Sequence, residues 1–160
     1  MKTIDIHINI GFCRIDELDD SDRQLIEKAI DATNNSYAKY SNFHVGAAVR
    51  LANDHIVIGA NQENAAFPSG LCAERSAIFA AQSQWPEHAI TSLAIAARNA
   101  GGLVREPVTP CGACRQVILE MEDRYNQPVR ILLYGTNGVY VINSVKDLMP
   151  LCFVDENLRG

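Results

Sequence analysis

The stretch Thr109-Pro110-Cys111-Gly112-Ala113-Cys114 places two cysteines three positions apart at the start of a predicted helix. Pro110 suits the opening turn of a helix, and Thr109 or a neighbouring residue can cap it. Residues three apart on a helix share a face, with Cβ atoms about 5–6 Å apart. Two thiolates on one tetrahedral zinc ion need sulfurs about 3.8 Å apart, which side-chain rotation supplies. The pair therefore predicts part of a metal site, with a thioredoxin-like redox pair as the alternative.

A second predicted helix begins at Cys72-Ala73-Glu74-Arg75. Glu74 shares one face of this helix with three apolar residues, namely Ala77, Ile78 and Ala81. A carboxylate on an apolar face must be paired or must serve chemistry, because burying an unpaired charge costs free energy. The alternatives to a chemical role for Glu74 are an ion pair with Arg75 or a cap at the helix start.

Three candidate thiolate ligands, Cys72, Cys111 and Cys114, follow from these two stretches. A catalytic zinc ion has three protein ligands and an open position, whereas a structural zinc ion usually has four protein ligands. The start of a helix also lowers the pKa of a thiol, because backbone N–H groups point at the sulfur. A fourth ligand that would make the site purely structural could come from Cys13, Cys152, His44 or His55.

The composition is that of an ordinary globular protein. The chain has 160 residues, which predicts one domain, and 48% of them are hydrophobic. Fourteen Lys and Arg against nineteen Asp and Glu give a net charge of -5. This charge disfavours a nucleic-acid partner, because nucleic-acid-binding surfaces are usually basic. The five cysteines are an odd number, which fits metal or catalytic use better than a set of disulfides.

No membrane or export segment is expected in this sequence. Residues 1–10 alternate apolar and polar side chains, unlike the apolar part of a signal peptide. No run of about 18 apolar residues occurs, so we expect no transmembrane helix and no membrane partner. We therefore expect a cytoplasmic protein with reduced thiols.

Strands and helices alternate along the chain in the predicted secondary structure. Period-two alternation predicts a strand at residues 4–10, and a capping box at residues 21–24 predicts a helix that begins at Ser21 and extends to about Ser36. The other predicted elements are a hairpin at 45–51 and 56–60, a helix at 72–84, a strand at 93–97, a helix at 111–123, strands at 131–134 and 139–142, and a short helix at 145–148. This order predicts an α/β fold with a mainly parallel or mixed sheet that is covered on both faces.

Cys72-Ala73-Glu74, followed by Pro110-Cys111-Gly112-Ala113-Cys114, resembles the signature of the zinc-dependent nucleoside and nucleobase deaminases, in its three-cysteine version. Further motifs in the same order narrow the resemblance to the small, homotetrameric type of cytidine deaminase within the cytidine and deoxycytidylate deaminase superfamily. These motifs are Tyr40-Ser-Asn-Phe43-His-Val45-Gly-Ala, Asn61-Gln-Glu63-Asn64-Ala, Gly70-Leu-Cys72-Ala-Glu74-Arg75, Pro110-Cys-Gly-Ala-Cys-Arg-Gln-Val117 and Leu148-Met-Pro-Leu-Cys-Phe153. The resemblance covers about residues 19–157.

This resemblance implies a three-layer α/β/α sandwich with a five-stranded mixed sheet. We expect residues 19–160 to form one cytidine deaminase-like domain after an amino-terminal extension at residues 1–18. The implied activity is zinc-dependent hydrolytic deamination of cytidine and deoxycytidine to uridine and deoxyuridine, in pyrimidine salvage. In that reaction a hydroxide generated at the zinc attacks C4 of the cytosine ring, and Glu74 shuttles the proton to N3.

The resemblance also implies a role for individual residues. It assigns the zinc ligands to Cys72, Cys111 and Cys114, and it places Arg75 in a hydrogen bond with a ligand sulfur. The implied substrate contacts are Asn61 and Glu63 with the ribose hydroxyls, Phe43 as an aromatic wall, the backbone around Ala73 with the pyrimidine edge, and Phe153 with the active site of a neighbouring subunit. The last contact would make a homotetramer with active sites shared between subunits.

Other interpretations of these residues remain open at this point. Phe43 could be a core residue, and residues 61–64 could be a polar turn after a strand. Another branch of the superfamily, such as a blasticidin-type or polynucleotide-editing deaminase, and a non-catalytic zinc protein are the competing functions. Asn61 with Glu63 favours a free nucleoside as substrate. The sequence departs from the family pattern at Phe67, where many members have a tyrosine.

Overall fold

Seven strands form the central sheet of the protein, as seen in a computed structural model that describes residues 1–160. The strands are β1 (Gly11–Cys13), β2 (His44–Leu51), β3 (Ile56–Ala60), β4 (Ile90–Asn99), β5 (Gly102–Leu103), β6 (Arg130–Gly135) and β7 (Gly138–Ile142). The α-helices are α1 (Asp20–Ala32), α2 (Ala73–Gln84), α3 (Gly112–Tyr125) and α4 (Glu156–Arg159). Short 3-10 helices lie at Ile15–Glu17, Thr33–Asn35, Phe67–Ser69 and Val145–Leu148.

The strand order in the sheet is β1-β7-β6-β4-β2-β3, and β5 pairs with the end of β4. Only β4 and β6 pair in parallel, and every other pair is antiparallel, so the sheet is mixed. The implied number of five strands was wrong. The two additional strands are β1 and β5. The sequence did not predict them because strands of three and two residues are too short to leave a clear alternation.

Helices cover both faces of this sheet, which confirms the three-layer α/β/α sandwich. Strand β4 is buried on both sides: Leu93 and Ile95 pack with the residues of α2 and α3, whereas Ala94 and Ala96 pack with those of α1. Each large apolar side chain buried in this way stabilises the fold by about 1.5–3 kcal/mol relative to an exposed one. The face covered by α2 and α3 is the one that carries the site described below.

Gly59 in β3 allows α2 to lie directly against the sheet. A Cβ atom at this position would lie 2.4 Å from the backbone nitrogen of Ala77 and 2.6 Å from the carbonyl oxygen of Ala73. Any side chain would therefore push the first turns of α2 away from β3. The glycine therefore sets the distance between β3 and the start of α2, and with it the position of Cys72.

Most predicted elements are confirmed, with shifted ends. The hairpin and the helices at 72–84 and 111–123 correspond to β2–β3, α2 and α3, and the strand predicted at 93–97 extends over the whole of β4. The capping box at Ser21 was wrong. Helix α1 begins at Asp20 because the Asp19 carboxylate accepts a hydrogen bond of 2.8 Å from the backbone nitrogen of Asp22, and the helix ends at Ala32 rather than near Ser36.

The strand predicted at residues 4–10 was also wrong. Residues 1–10 form no helix, strand or turn, and the strand of the extension is β1. In the register of β1 with β7, Gly11 faces Val141. Residue 10 would therefore face Ile142, where β7 ends, and the residues before it have no strand beside them. None of the helices is long and apolar enough to cross a membrane.

Candidate active site

Three cysteines meet where two helices begin. Cys72 is the N-cap residue of α2, Cys111 is the N-cap residue of α3, and Cys114 lies in the first turn of α3. Their sulfurs lie within 4.8 Å of one another, and those of Cys72 and Cys111 are 3.9 Å apart. Two thiolates on a tetrahedral zinc ion need a separation of about 3.8 Å. The donor atoms and their spacing therefore fit zinc.

The electrostatics of the cluster favour thiolates. The sulfur of neither N-cap cysteine accepts a capping hydrogen bond from the backbone. The pKa of Cys72 is lowered to about 5, first by the hydrogen bond from the Cys114 thiol and then by those from Arg75 and Cys111. The pKa of Cys114 is raised, because it donates to Cys72 and is buried. Crowded sulfurs that share protons in this way release them when a cation binds.

The four candidates for a fourth metal ligand all lie elsewhere. Only Cys72, Cys111 and Cys114 form a cluster of metal-ligating groups. The Cys152 thiol donates to the carbonyl oxygen of Met149 over 2.9 Å. The other three are Cys13 on β1, His44, whose Nδ1 contacts the Ser36 hydroxyl, and His55, which stacks on Trp85. The cluster thus offers three ligands and an open position, the arrangement of a catalytic zinc site.

Glu74 lies beneath this cluster on the buried face of α2. Its side chain is only 5% exposed, and burial raises the pKa of the carboxyl group above its ordinary value. No cation lies within ion-pair distance of it. Arg75 points instead at the Cys72 sulfur, with 3.4 Å between Nη2 and Sγ. The Glu74–Arg75 ion pair considered from the sequence is therefore wrong.

A cavity of about 530 Å³ opens in front of Cys72 and Arg75. This volume is in the range of sites for small organic molecules. The lining residues are Tyr40, Ser41, Asn61, Gln62, Glu63, Asn64, Phe67, Gly70, Leu71, Cys72 and Arg75. Polar groups from the loop after β3 thus line the same cavity as Cys72 of the cysteine cluster.

Residues 19–126 match the sequence model of a family described as the cytidine and deoxycytidylate deaminase zinc-binding region. The chain belongs to this family. A cytidine deaminase from Halalkalibacterium halodurans is 36% identical over 139 residues, which are 86% of this chain and 98% of that protein. A cytidine deaminase from Sporosarcina psychrophila is 37% identical over 135 residues, which are 84% of this chain and 93% of that protein.

A solved structure supports the same assignment. The crystal structure of cytidine deaminase from Burkholderia pseudomallei is 35% identical, with a TM-score of 0.70, and the match covers 81% of this chain and 97% of that one. The protein is therefore an enzyme of the cytidine deaminase type. Zinc is its metal, in agreement with the three-cysteine cluster.

The Glu63 carboxylate of this deaminase organises the loop at the outer end of the cavity. It accepts hydrogen bonds from the backbone nitrogens of Tyr40, at 2.7 Å, and Ser41, at 3.3 Å, and from the Ser41 hydroxyl. The Ser41 hydroxyl is the main reason why the pKa of Glu63 lies below its ordinary value. A carboxylate has about four lone-pair positions. One position thus remains for a ligand.

Asn61 is held just as firmly. Its Oδ1 accepts a hydrogen bond of 2.8 Å from the backbone nitrogen of Val45, and its Nδ2 donates one of 2.9 Å to the carbonyl oxygen of Phe43. The amide nitrogen carries two hydrogens, so one N–H is left for a ligand. The internal bonds also fix the direction in which this N–H points.

The structure brings together some of the predicted site residues and leaves others apart. Asn61, Glu63 and Cys72 line the cavity, and Ala73 is fully buried at the start of α2. Phe43 is half-buried and does not line the cavity. Phe153 is 57% exposed beyond α3, where the Gln116 side chain donates to its carbonyl oxygen. These two aromatic residues therefore do not reach the cavity of their own subunit.

Two groups that sequence reasoning missed help to build the deaminase site. Tyr40 forms one apolar wall with Phe67, in an edge-to-face contact with ring centroids 5.6 Å apart. Arg115 donates to the carbonyl oxygens of Pro110, at 2.9 Å, and Leu148, at 2.8 Å. It thereby ties the turn before Cys111 to the chain after β7. Tyr40 and Arg115 both stand inside the family motifs, but neither carries a local pattern that predicts its contacts.

Proposed function

We propose that the protein hydrolytically deaminates cytidine and deoxycytidine to uridine and deoxyuridine, with release of ammonia, in cytoplasmic pyrimidine salvage. The observation that carries this proposal is Glu74. This residue is 5% exposed, its carboxylate has no ion-pair partner, and it lies two positions after a candidate zinc ligand. A buried carboxylate without a cation is costly to the fold, so its presence favours a chemical role.

Cys72, Cys111 and Cys114 would hold the metal in this proposal. A bound zinc ion supplies a water of lowered pKa as the nucleophile for C4 of the cytosine ring. Glu74 accepts the proton of the attacking water and delivers it to N3 of the ring. It then takes the proton of the new C4 hydroxyl and passes it to the amino group, which leaves as ammonia while the C4 carbonyl forms. Burial favours the neutral form of this carboxyl group, which suits a residue that must hold a proton between two steps.

The charge balance at the site gives Arg75 its role. Three thiolates against Zn²⁺ leave a net charge of about -1, which weakens the electrophilicity of the metal. The amino-terminal ends of α2 and α3 offset part of this charge. The Arg75 guanidinium donates to the Cys72 sulfur and so withdraws charge from one ligand. Arg75 is thus a positioning residue that acts through Cys72.

The cavity supports a nucleoside rather than a free base as substrate. We propose that the remaining lone pair of Glu63 and the remaining N–H of Asn61 bind the ribose hydroxyls, while the backbone around Ala73 contacts the pyrimidine edge. Both side chains already make internal hydrogen bonds that hold them in place. Such preorganisation lowers the entropy cost of binding. Phe43 is proposed as an aromatic wall that comes close to the sugar once substrate is bound.

We further propose a homotetramer in which Phe153 enters the site of a neighbouring subunit. Large apolar side chains are exposed, including Phe67 at 74% on the cavity lining, Phe79 at 48% on α2 and Leu151 at 88% near the carboxy terminus. The buried Nε of Arg75 and Nε2 of Gln82, both on α2, lack hydrogen-bond partners within the subunit. Exposed apolar side chains near polar atoms that lack hydrogen-bond partners are typical of a surface that a second subunit covers.

Mixed oligomers test this arrangement. A Glu74→Gln subunit and a Phe153→Ala subunit are each expected to be nearly inactive alone. If Phe153 acts in the neighbouring site, co-refolded mixtures contain sites with an intact Glu74 and an intact Phe153 from different subunits. We expect the mixture to regain a substantial part of wild-type activity. Activity no higher than the average of the two parents would reject the shared site.

The proposed reaction is tested directly by zinc content and substrate turnover. We expect one zinc per subunit by mass spectrometry and a loss of ultraviolet absorbance with both cytidine and deoxycytidine. Free cytosine and blasticidin S serve as the comparison substrates. A full zinc complement together with no turnover of either nucleoside would overturn the proposal, and turnover of blasticidin S alone would favour the other branch of the superfamily.

A further inference from the structure

The amino-terminal arm, defined as residues 2–10, has no partner within the subunit. It forms no helix or strand, and none of its backbone groups hydrogen-bonds to the rest of the chain. Its four isoleucines are all exposed, at 77% for Ile4, 49% for Ile6, 42% for Ile8 and 46% for Ile10. Unsatisfied backbone groups beside a row of exposed apolar side chains form a surface that other chains can pair with.

The arm cannot pair with a strand of its own subunit. It continues β1, which is the outermost strand on its side of the sheet and pairs only with β7. The register of that pair places residue 10 opposite Ile142, at the end of β7. The remaining residues of the arm thus extend beyond the sheet. Water can satisfy their exposed backbone groups, and a strand that pairs with them has to come from outside the subunit.

The sequence of the arm is complementary to itself. Apolar residues occupy the even positions from Ile4 to Ile10, and polar residues occupy the odd positions from Thr3 to Asn9. In an antiparallel pair, residues directly opposite each other share a face of the ribbon. Two copies of the arm therefore bring isoleucine against isoleucine only in registers that pair even positions with even positions.

Charge selects one of these registers. With Ile6 opposite the partner's Ile6, Ile4 faces the partner's Ile8 and Asp5 faces the partner's His7. Moving the partner arm by two residues, so that Ile4 faces the partner's Ile6, places Asp5 opposite the partner's Asp5. This register is unfavourable because like charges face each other. Moving the partner arm by two residues in the other direction, so that Ile6 faces the partner's Ile8, places His7 opposite the partner's His7. Only the first register opposes an acid to an imidazole on both sides of the axis.

We propose that the amino-terminal arm is a dimerisation strand that pairs antiparallel with the same residues of a second copy, about a twofold axis at Ile6. The paired ribbon brings the isoleucines of both arms together on one face, and the backbone groups that point towards the partner arm form hydrogen bonds. This interface lies at the β1 edge of the sheet, whereas α2 and Cys72 lie at the opposite edge against β3. It is therefore separate from the active site.

Two variants that each add one cysteine to the arm test the register. In the proposed pair the two residues 6 face each other, with Cα atoms about 4.5–5.5 Å apart, which a disulfide can span. The two residues 8 lie four positions out of register, about 13 Å apart along the strand. We expect Ile6→Cys to form a covalent dimer at least tenfold faster than Ile8→Cys in a glutathione redox buffer, with the 6–6 peptide identified by mass spectrometry. Equal rates, or no 6–6 dimer, would overturn the proposal.

Hydrogen–deuterium exchange provides a second measurement without new cysteines. Amides of the arm in the wild-type protein are expected to exchange at least tenfold more slowly than those of a free peptide of the same sequence. Ile6→Lys, on the apolar face, should remove this protection, whereas Thr3→Lys, which adds the same charge to the polar face, should keep it. Deamination should be unchanged in both variants. Exchange of the wild-type arm at the free-peptide rate would contradict the proposed strand.

Discussion

The two walls of the active-site cavity are built in different ways. The metal wall is the cysteine cluster at the starts of two helices. Cys72 lines the cavity, Cys111 and Cys114 lie beside it, and buried Glu74 follows Cys72 on α2. The sugar wall consists of loop residues near Glu63, held by hydrogen bonds to backbone nitrogens and to a hydroxyl. The first wall is positioned by packing against the sheet and the second by a polar network at the surface.

In the proposed function, this difference separates the chemistry from the recognition of substrate. Helix starts packed on a sheet hold donor atoms rigidly, as a metal and a proton carrier require. Loops that are fastened by hydrogen bonds can hold a ligand while they exchange it with solvent. Substitutions on the metal wall should therefore change kcat. Those on the sugar wall should mainly change KM.

Loss of a proposed metal ligand is expected to have the largest effect. Cys114→Ser removes the buried thiolate of the cluster, and we expect zinc content and deamination to fall to background, because a hydroxyl is a poor zinc ligand. Cys152→Ser is the matched control, since its side chain bonds only the Met149 carbonyl oxygen and lies outside the cluster. Mass spectrometry of the metal and an absorbance assay measure both. Zinc retained at one per subunit in Cys114→Ser would remove this residue from the ligand set.

Replacement of Glu74, the proposed proton carrier, is expected to have the next largest effect. Glu74→Gln keeps the shape of the side chain but cannot accept a proton, so kcat should fall by about 10²–10⁴-fold. Zinc content and the melting temperature should stay close to wild type. Glu120→Gln, at an exposed position on α3, provides the control for the loss of a carboxylate. A kcat within a factor of three of wild type would exclude Glu74 as the proton shuttle.

A substitution on the sugar wall should mainly change KM. Glu63→Gln weakens the acceptor proposed for a ribose hydroxyl, and we expect KM for cytidine to rise by about 10- to 100-fold with a smaller change in kcat. A cytidine analogue without the 2′ and 3′ hydroxyls should bind the variant and the wild type about equally well. Glu87→Gln, another exposed glutamate, is the control. An equal penalty for cytidine and the analogue would show that Glu63 acts only on the loop.

The metal wall could be predicted from local sequence, whereas the sugar wall could not. Two cysteines three apart at a helix start and a glutamate on an apolar helix face have a fixed geometry, because the helix itself sets the spacing. The role of Glu63 followed only from a family resemblance. Its contacts join the loops at Tyr40–Ser41 and after β3, and no local pattern sets the distance between two loops.

The errors in the predicted fold have the same physical origin. The alternation at residues 4–10 is a sound pattern for a strand, but a strand also needs a neighbour, and β7 ends at Ile142. Asp19 and Ser21 are both good capping residues. The choice of Asp19 depends on a contact with the Asp22 backbone nitrogen that composition does not reveal. Local preference predicts what a segment can form, and the neighbouring chain decides whether it does.

The smallest effect is expected at Arg75, which acts on the metal wall without being a ligand. Its Nη2 donates to the Cys72 sulfur over 3.4 Å, and its pKa is raised mainly by that hydrogen bond. Arg75→Gln should lower kcat by about tenfold while zinc is retained, because more charge stays on the sulfur and the metal becomes a weaker electrophile. Arg75→Lys, which keeps the charge but loses the planar fork, should recover part of the rate.

A spectroscopic measurement separates this electronic role from a merely structural one. In cobalt-substituted protein, the sulfur-to-metal charge-transfer band reports the electron density on the ligand sulfurs. The band should shift in Arg75→Gln and return towards the wild-type position in Arg75→Lys. If kcat falls while the band stays in place, Arg75 supports the shape of the cavity, which it also lines, rather than the charge of the metal site. The metal wall would then need only its three sulfurs and Glu74 to set the rate of the chemical step.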